Sequence, residues 1–201
     1  MAYSNNTIKV AQVAIYPFMH FFFKMFFKAN LDIKINLKKK NTYIFTPNHP
    51  WRMDPFLIFY LMQFKTLIKI LPLRFMTAKK YMKNPINNLI LSLLGCYPVD
   101  ENVLSQSILL LKDNNLCIFI QGRINHENKE TPRVGAIYIN KEFKRSKIVP
   151  VKIKINKRVT FSNILLRRIK INVSFKPQFI AEKFTKNLQP IANELLKTIN
   201  N

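Results

Sequence analysis

The sequence predicts an α/β fold: a single domain with a central mixed, largely parallel sheet flanked by helices, plus an N-terminal apolar membrane-associated helix. Three observations predict it. From residue 31 onward, short β-like runs alternate with helical stretches, as strand–helix–strand units do. The chain has 201 residues, 48% of them hydrophobic, which is enough to fill one core. No internal repeat or long linker divides it. We therefore read residues 1–30 as an N-terminal membrane-associated helical segment and 31–201 as the α/β domain.

The N-terminal segment is the most apolar. Residues 8–27 read IKVAQVAIYPFMHFFFKMFF, with Phe at 18, 21, 22, 23, 26 and 27. A spanning helix needs about 20 residues with few charges, and here Lys9, Gln12, His20 and Lys24 interrupt the run. At about 100° per residue these four and Lys28 share an arc of roughly 160°, which Phe23 and Phe27 violate. Pro17 should kink the helix or start a second one. No small-residue cleavage site follows, so a signal peptide is a poor match. We expect an interfacial helix lying in the membrane plane. Docking on the protein's own core and spanning the bilayer are the alternatives. The nearby run Lys38-Lys39-Lys40 suits anionic head groups or a solvated turn.

The remaining elements follow in order. Strands are expected at 33–37, 42–46, 73–77, 96–99, 116–120, 147–154 and 169–175. Helices are expected at 55–64, 85–94, 101–112, 133–142 and 188–199. Asp54-Pro55 reads as an N-cap followed by Pro at the first helical position, and Asp100 as a second cap. Sheets of this kind carry their chemistry in loops beyond the strand ends.

Charge narrows the partners. Lys and Arg number 33 against 10 Asp and Glu, a formal net charge of +23. Nucleic acid, an anionic membrane surface and a phosphorylated or CoA-type ligand are the candidates. Residues 141–158 hold eight Lys/Arg and one acid, alternating with apolar residues around a strand, and Arg167-Arg168 follows. Nucleic acid binding would need aligned aromatics in a basic groove, whereas the Phe cluster lies at the other end of the chain, so no nucleic acid partner is expected. Three Gly, with no GxGxxG and no GxxxxGK[ST], argue against a Gly-rich nucleotide loop. Two Cys, at 96 and 117, exclude a disulfide-stapled scaffold and a cysteine zinc cluster. His20, His49 and His126 are scattered without ligand spacing, so no metal site is expected.

The informative segment is 46–56, TPNHPWRMDPF, placed between a strand and a helix. Residues 1–99 contain 14 basic side chains and only two acids, Asp32 and Asp54. Asp54 lies five residues after His49. A carboxylate bonded to one imidazole nitrogen fixes the tautomer and leaves the other nitrogen as a base. That works if His49 sits in the loop and Asp54 in the first helical turn. By spacing alone, a loop His and a capping Asp remain the alternative. A GxSxG nucleophile elbow is absent.

NHPWRMDPF at 48–56 resembles the NHxxxxD block of the glycerolipid acyltransferase family, the lysophosphatidic-acid acyltransferases and their relatives. Three further regions resemble that family's blocks in its order. Residues 75–80 (FMTAKK) and 94–100 (LGCYPVD) are similar to its AKKEL…LGxIFIDR stretch. Residues 118–123 (IFIQGR) resemble FPEGTR, and more closely FPEGR, and Arg133-Val134-Gly135-Ala136 resembles the KxGA that follows. Residues 148–151 (IVPV) match the late VPV block, as acyl-pocket wall or core strand. Together these cover about residues 44–154.

The resemblance implies fatty acyl transfer from acyl-CoA or acyl-carrier protein to the hydroxyl of a lysophospholipid or related lipid. His49 would be the general base and Asp54 its orienting partner. Gly122 and Arg123 would bind the acceptor's phosphate, with Gln121 in the same block. Lys79 is a second phosphate or donor candidate, and Arg52 a further cation inside the first block. The mechanism needs no cofactor. An anionic membrane surface is an implied partner, and the expected location is the cytoplasmic face of the inner (cell) membrane, monotopic or peripheral. The chain departs from the family pattern at three places. Gln121 stands where the family has Glu, and Ile120 where it has Pro. Glu101 stands where Arg usually follows Asp. A non-catalytic lipid-binding protein of the same fold is therefore the alternative reading. His126 is expected to be an ordinary loop residue.

Overall fold

The computed structural model describes residues 3–51, 54–122, 131–157, 159–181, 184 and 186–201. Arg52, Arg123 and His126 lie outside the described residues.

Among the described residues, seven strands form one sheet. They are β1 (Lys28–Ile33), β2 (Thr42–Pro47), β3 (Leu73–Ala78), β4 (Cys96–Val99), β5 (Asn115–Cys117), β6 (Ser146–Ile155) and β7 (Lys170–Phe175). Their order is β1-β7-β6-β2-β5-β3-β4. Strands β6, β2, β5, β3 and β4 are mutually parallel, whereas β7 runs against β6 and β1 lies parallel to β7. The expected mixed, largely parallel sheet is the one observed.

Parallel neighbours require crossovers, and helices supply most of them. The helices are α1 (Asn5–Phe26), α2 (Asp54–Tyr60), α3 (Phe64–Leu67), α4 (Pro85–Leu93), α5 (Val103–Leu110), α6 (Gly135–Glu142), α7 (Phe161–Leu165) and α8 (Gln189–Asn200). A 3-10 turn (Lys79–Met82) follows β3. Strand alternation divides the core in two. Tyr43, Phe45, Val149, Val151, Ile171 and Val173 face α1, α2 and α3, which contribute Phe23, Leu57, Phe59 and Leu67. Ile44, Leu116 and Ile148 face α6 and α8, which contribute Ile137, Ile139, Leu195 and Ile199. Val149 and Val151 are thus core strand residues.

Three local expectations need correction. The first strand lies at 28–33, not 33–37: Ala29, Leu31 and Ile33 pack on the core while Lys28, Asn30 and Asp32 point outward. It is an edge strand with one open face, so its apolar signal is diluted. The segment 161–165 is helical although no helix was expected there. Asp100 does not cap α5; its carboxylate accepts the Asn102 N–H at 3.0 Å, one turn before the helix starts.

Helix α1 is one continuous helix through Pro17. The middle of its polar arc, Gln12, Tyr16 and His20, faces the protein, while Lys24 at the end of the arc stays exposed. Gln12 is buried, and its Nε2 donates to Leu73 O (2.8 Å) and Leu94 O (2.9 Å) while its Oε1 accepts the Leu73 N–H (3.1 Å). Tyr16 donates to Met62 O at 2.7 Å, and His20 Nδ1 lies 2.7 Å from Tyr60 O. The free backbone groups at the start of β3 and the ends of α4 and α2 are what this polar arc satisfies. The outward stripe is apolar: Val10, Phe18, Phe21 and Met25 are exposed. No helix among the described residues is long and apolar enough to cross a membrane. Gly95, at φ +91°, lets Gln12 reach this junction, because a Cβ there would collide with Leu73 O and crowd the Gln12 amide.

Gln12→Ala orphans three buried backbone groups, at about 1–3 kcal/mol each before relaxation. We expect a loss of about 2–4 kcal/mol in urea unfolding, against a change within about 0.5 kcal/mol for the exposed control Asn6→Ala. An unchanged midpoint for Gln12→Ala would mean that apolar contacts alone hold α1.

Candidate active site

Strand β2 runs between β6 and β5, and its buried residues Tyr43, Ile44 and Phe45 are strong β formers. At Asn48 the strand ends but its pairing does not. The backbone N–H of Asn48 donates to Val151 O at 3.3 Å. Its side-chain amide then donates to Ile153 O (2.9 Å) and accepts the Ile153 N–H (2.7 Å). A buried amide thus extends the sheet by one residue and leaves His49 just beyond the strand end.

The other side of the loop is set by β5. Ile118 N–H donates to Phe45 O (2.9 Å) and Ile120 N–H to Pro47 O (3.4 Å), so the pairing with β2 continues past Cys117. This brings Phe119 and Gln121 alongside His49. The Phe119 ring centroid lies 4.1 Å from that of His49, with the planes 32° apart. The buried Gln121 accepts the His49 backbone N–H on Oε1 at 3.2 Å.

Asp54 opens α2, but its carboxylate turns back toward the loop instead of capping the helix. Its Oδ2 accepts the Trp51 N–H at 2.7 Å and lies 3.2 Å from His49 Nδ1. The Asp54 N–H donates to Trp51 O at 3.2 Å, which closes the turn. The carboxylate is fully buried, whereas 16% of the His49 side chain is exposed. With Nδ1–H donating to Oδ2, the assigned tautomer leaves Nε2 as the basic nitrogen. His49 thus sits in the loop and Asp54 in the first helical turn, the placement that the five-residue spacing needs for the two to meet.

Gly122 follows at φ +70°, its N–H donating to Phe119 O at 3.0 Å. A Cβ at 122 would collide with the side chain of Arg133. Arg133 is exposed, and its backbone N–H donates to Ile120 O at 2.7 Å. The segments 118–123 and 133–136 therefore converge, and Arg133 is a cation beside the loop that was not among the expected site residues. Its position in a block similar to KxGA was the available signal.

Over residues 28–154 the sequence matches the family described as acyltransferase. The chain belongs to the acyltransferase family. Among solved structures, the 1-acyl-sn-glycerophosphate (LPA) acyltransferase PlsC from Thermotoga maritima is similar, with a TM-score of 0.64 at 16% identity. The likeness covers 94% of this chain and 78% of that one. At this identity it speaks for the fold. No curated protein matches the sequence significantly.

In this acyltransferase, His49, Asp54, Gln121 and Gly122 come together at one end of the sheet. Lys79 begins the exposed turn after β3, a strand whose C-terminal end points to that same end. Arg52 and Arg123 lie outside the described residues. The Lys38-Lys39-Lys40 run sits at the opposite end of the sheet. There Lys34, Lys38, Lys40 and Lys147 line an open concavity of about 680 Å³.

Both thiols are buried in the sheet. Burial pushes the Cys96 thiol up to about 11; burial, with the Asp54 and Cys96 charges adding to it, holds the Cys117 thiol well above the usual thiol range. Neither is a thiolate at neutral pH, so neither is poised as a nucleophile. We expect native protein at pH 8 to resist a maleimide and denatured protein to take up two equivalents, read by intact mass. Rapid labelling of the native chain would overturn this. Separately, Asn48→Ala removes two buried hydrogen bonds and should cost about 1–3 kcal/mol in urea unfolding.

Proposed function

We propose that this acyltransferase moves a fatty acyl group from an acyl-CoA or acyl-carrier-protein thioester to the hydroxyl of a lysophospholipid-type acceptor, with His49 as the general base. The single observation that carries this reading is the 3.2 Å approach of His49 Nδ1 to the buried carboxylate of Asp54. A buried carboxylate favours the imidazolium that forms on proton uptake and holds the ring's tautomer.

In this proposal His49 Nε2 takes the acceptor's hydroxyl proton as the oxygen attacks the thioester carbonyl. The tetrahedral oxyanion collapses, the C–S bond breaks, and the imidazolium returns its proton to the departing thiolate. Asp54 keeps its charge throughout. Gln121 holds the His49 backbone through a bond that a neutral amide makes as well as a carboxylate. The substitution of Gln for the family's Glu is therefore compatible with catalysis.

The acceptor's phosphate is assigned to Gly122 and Arg123, with Arg133, Lys79 and Arg52 as further cations. The convergence of Gly122 and Arg133 supports this, since a guanidinium beside a loop without a side chain suits phosphate oxygens. The acceptor class also follows the activity of the Thermotoga protein, a 1-acyl-sn-glycerophosphate acyltransferase. We further propose monotopic or peripheral seating on the cytoplasmic face of an anionic inner (cell) membrane, with residues 1–30 as the membrane-associated segment. The outward apolar stripe of α1 and the net charge of +23 support it.

The test is thioester release by purified protein over a panel of lyso-lipids. His49→Ala should fold normally and lose at least about 100-fold in kcat. Asp54→Asn should fold and lose about tenfold or more. Substantial turnover by folded His49→Ala would remove the base role, and unchanged turnover by Asp54→Asn would leave that carboxylate a purely structural one.

A further inference from the structure

Helix α7 links β6 to β7 and exposes more apolar surface than a short connection needs. Ile164 packs on the core, while Phe161 is 81% exposed, Leu165 63% and Leu166 56%. Arg167 and Arg168 follow directly. Arg167 adopts φ +50°, a left-handed conformation that usually selects Gly. Its guanidinium donates to Lys24 O at 3.1 Å, in the last turn of α1. The residue whose backbone carries the strain is thus the one whose side chain ties α7 to α1.

The sheet fixes where this junction lies. Pro47 at the end of β2 is in register with Val151 of β6, so the C-terminal ends of both strands share one end of the sheet. Strand β7 starts at that end, as does β1, with Lys28 opposite Lys170. Helix α7 and the last turn of α1 are therefore at the His49 end. The Phe27 ring, at the α1 C-cap, lies 5.6 Å from Trp51 in the loop that holds His49 and Asp54. Phe21 and Met25 of α1 are exposed there, with Lys24 and Lys28 beside them.

We propose that α7 is a second membrane-inserting element: Phe161, Leu165 and Leu166 enter the surface of an anionic bilayer beside α1, and the two contacts turn the His49 end of the sheet toward lipid. The proposal rests on the reading of this enzyme as one that acts on membrane lipids, and it goes beyond the N-terminal helix. Charge decides the occupant. The apolar tips are bordered by Arg167, Arg168, Lys24 and Lys28 in a chain of net charge +23, which suits phospholipid phosphates and opposes a second copy of the same face. One contact leaves a protein free to pivot on a bilayer, whereas two fix the orientation of the site.

The experiment uses the full chain and vesicles of phosphatidylcholine with and without phosphatidylglycerol. The double variant Phe161→Ser/Leu165→Ser removes two mostly exposed side chains, and its melting temperature checks the fold. It should bind phosphatidylglycerol vesicles about tenfold or more weakly than the parent chain. Arg168→Glu should weaken binding to those vesicles and not to phosphatidylcholine alone. The indole introduced by Phe161→Trp should be quenched by lipids brominated in the acyl chain, beyond the change seen from Trp51 in the parent. Transfer to a monomeric, water-soluble lyso-acceptor should be unaffected by the double variant, while transfer to vesicle-borne acceptor falls. Unchanged vesicle binding, or an unquenched indole, would overturn the proposal. So would a dimer in sedimentation that the double variant dissociates, since that assigns the face to a second copy. Absence of thioester turnover with every acceptor would count against the acyl-transfer reading alone, because vesicle binding and quenching are read without it.

Discussion

The structure depends on how β2 is held between two parallel neighbours. Its backbone is paired to β6 over six residues and to β5 beyond its regular end. Asn48 then uses its own amide as one more rung against Ile153. This is what brings a flexible loop residue to a fixed address. His49 emerges at the rim of the sheet with its backbone held by Gln121, its ring against Phe119 and one nitrogen at a buried carboxylate. A histidine on an unsupported loop would sample many rotamers. Here the positions of its neighbours are inherited from strand register, which a one-residue slip would destroy.

Helix α1 shows how a polar residue can act as an attachment point. Gln12, Tyr16 and His20 satisfy backbone groups on β3, α4 and α2 that the helix itself would otherwise cover without partners. Once those polar groups turn inward, the apolar stripe at Val10, Phe18, Phe21 and Met25 is left outside. The helix is thus bound to its own protein on one side and presents a greasy surface on the other. The same junction carries the tie from Arg167 to Lys24 and the contact from Phe27 to Trp51. The helix, the α7 turn and the loop carrying His49 are mechanically one corner of the molecule.

Legibility in the sequence followed the strength of local patterns. Strands β2, β3, β4 and β6 were readable because aromatic and β-branched residues cluster there between turn residues. Strand β1 was displaced because Lys28, Asn30 and Asp32 interrupt its apolar side. Helix α7 leaves no pattern in the sequence because five residues are too few to show a helical period. The His49–Asp54 pair was visible as a spacing and a scarcity of acids. The neighbours that hold it were not visible: Gln121 is 72 residues away in sequence, and the Asn48–Ile153 rung spans 105.

The sequence by itself determined the α/β class, most element positions, the likeness to an acyltransferase and the identity of the two residues at the rim. These are properties of short windows, where side-chain type and local periodicity carry the information. The tertiary structure decided which way α1 faces, that Arg133 lies over Gly122, and that α1, α7 and His49 share one end of the sheet. Those depend on strand order and on hydrogen bonds between segments far apart in the chain. No local pattern records which distant carbonyl a buried glutamine will find.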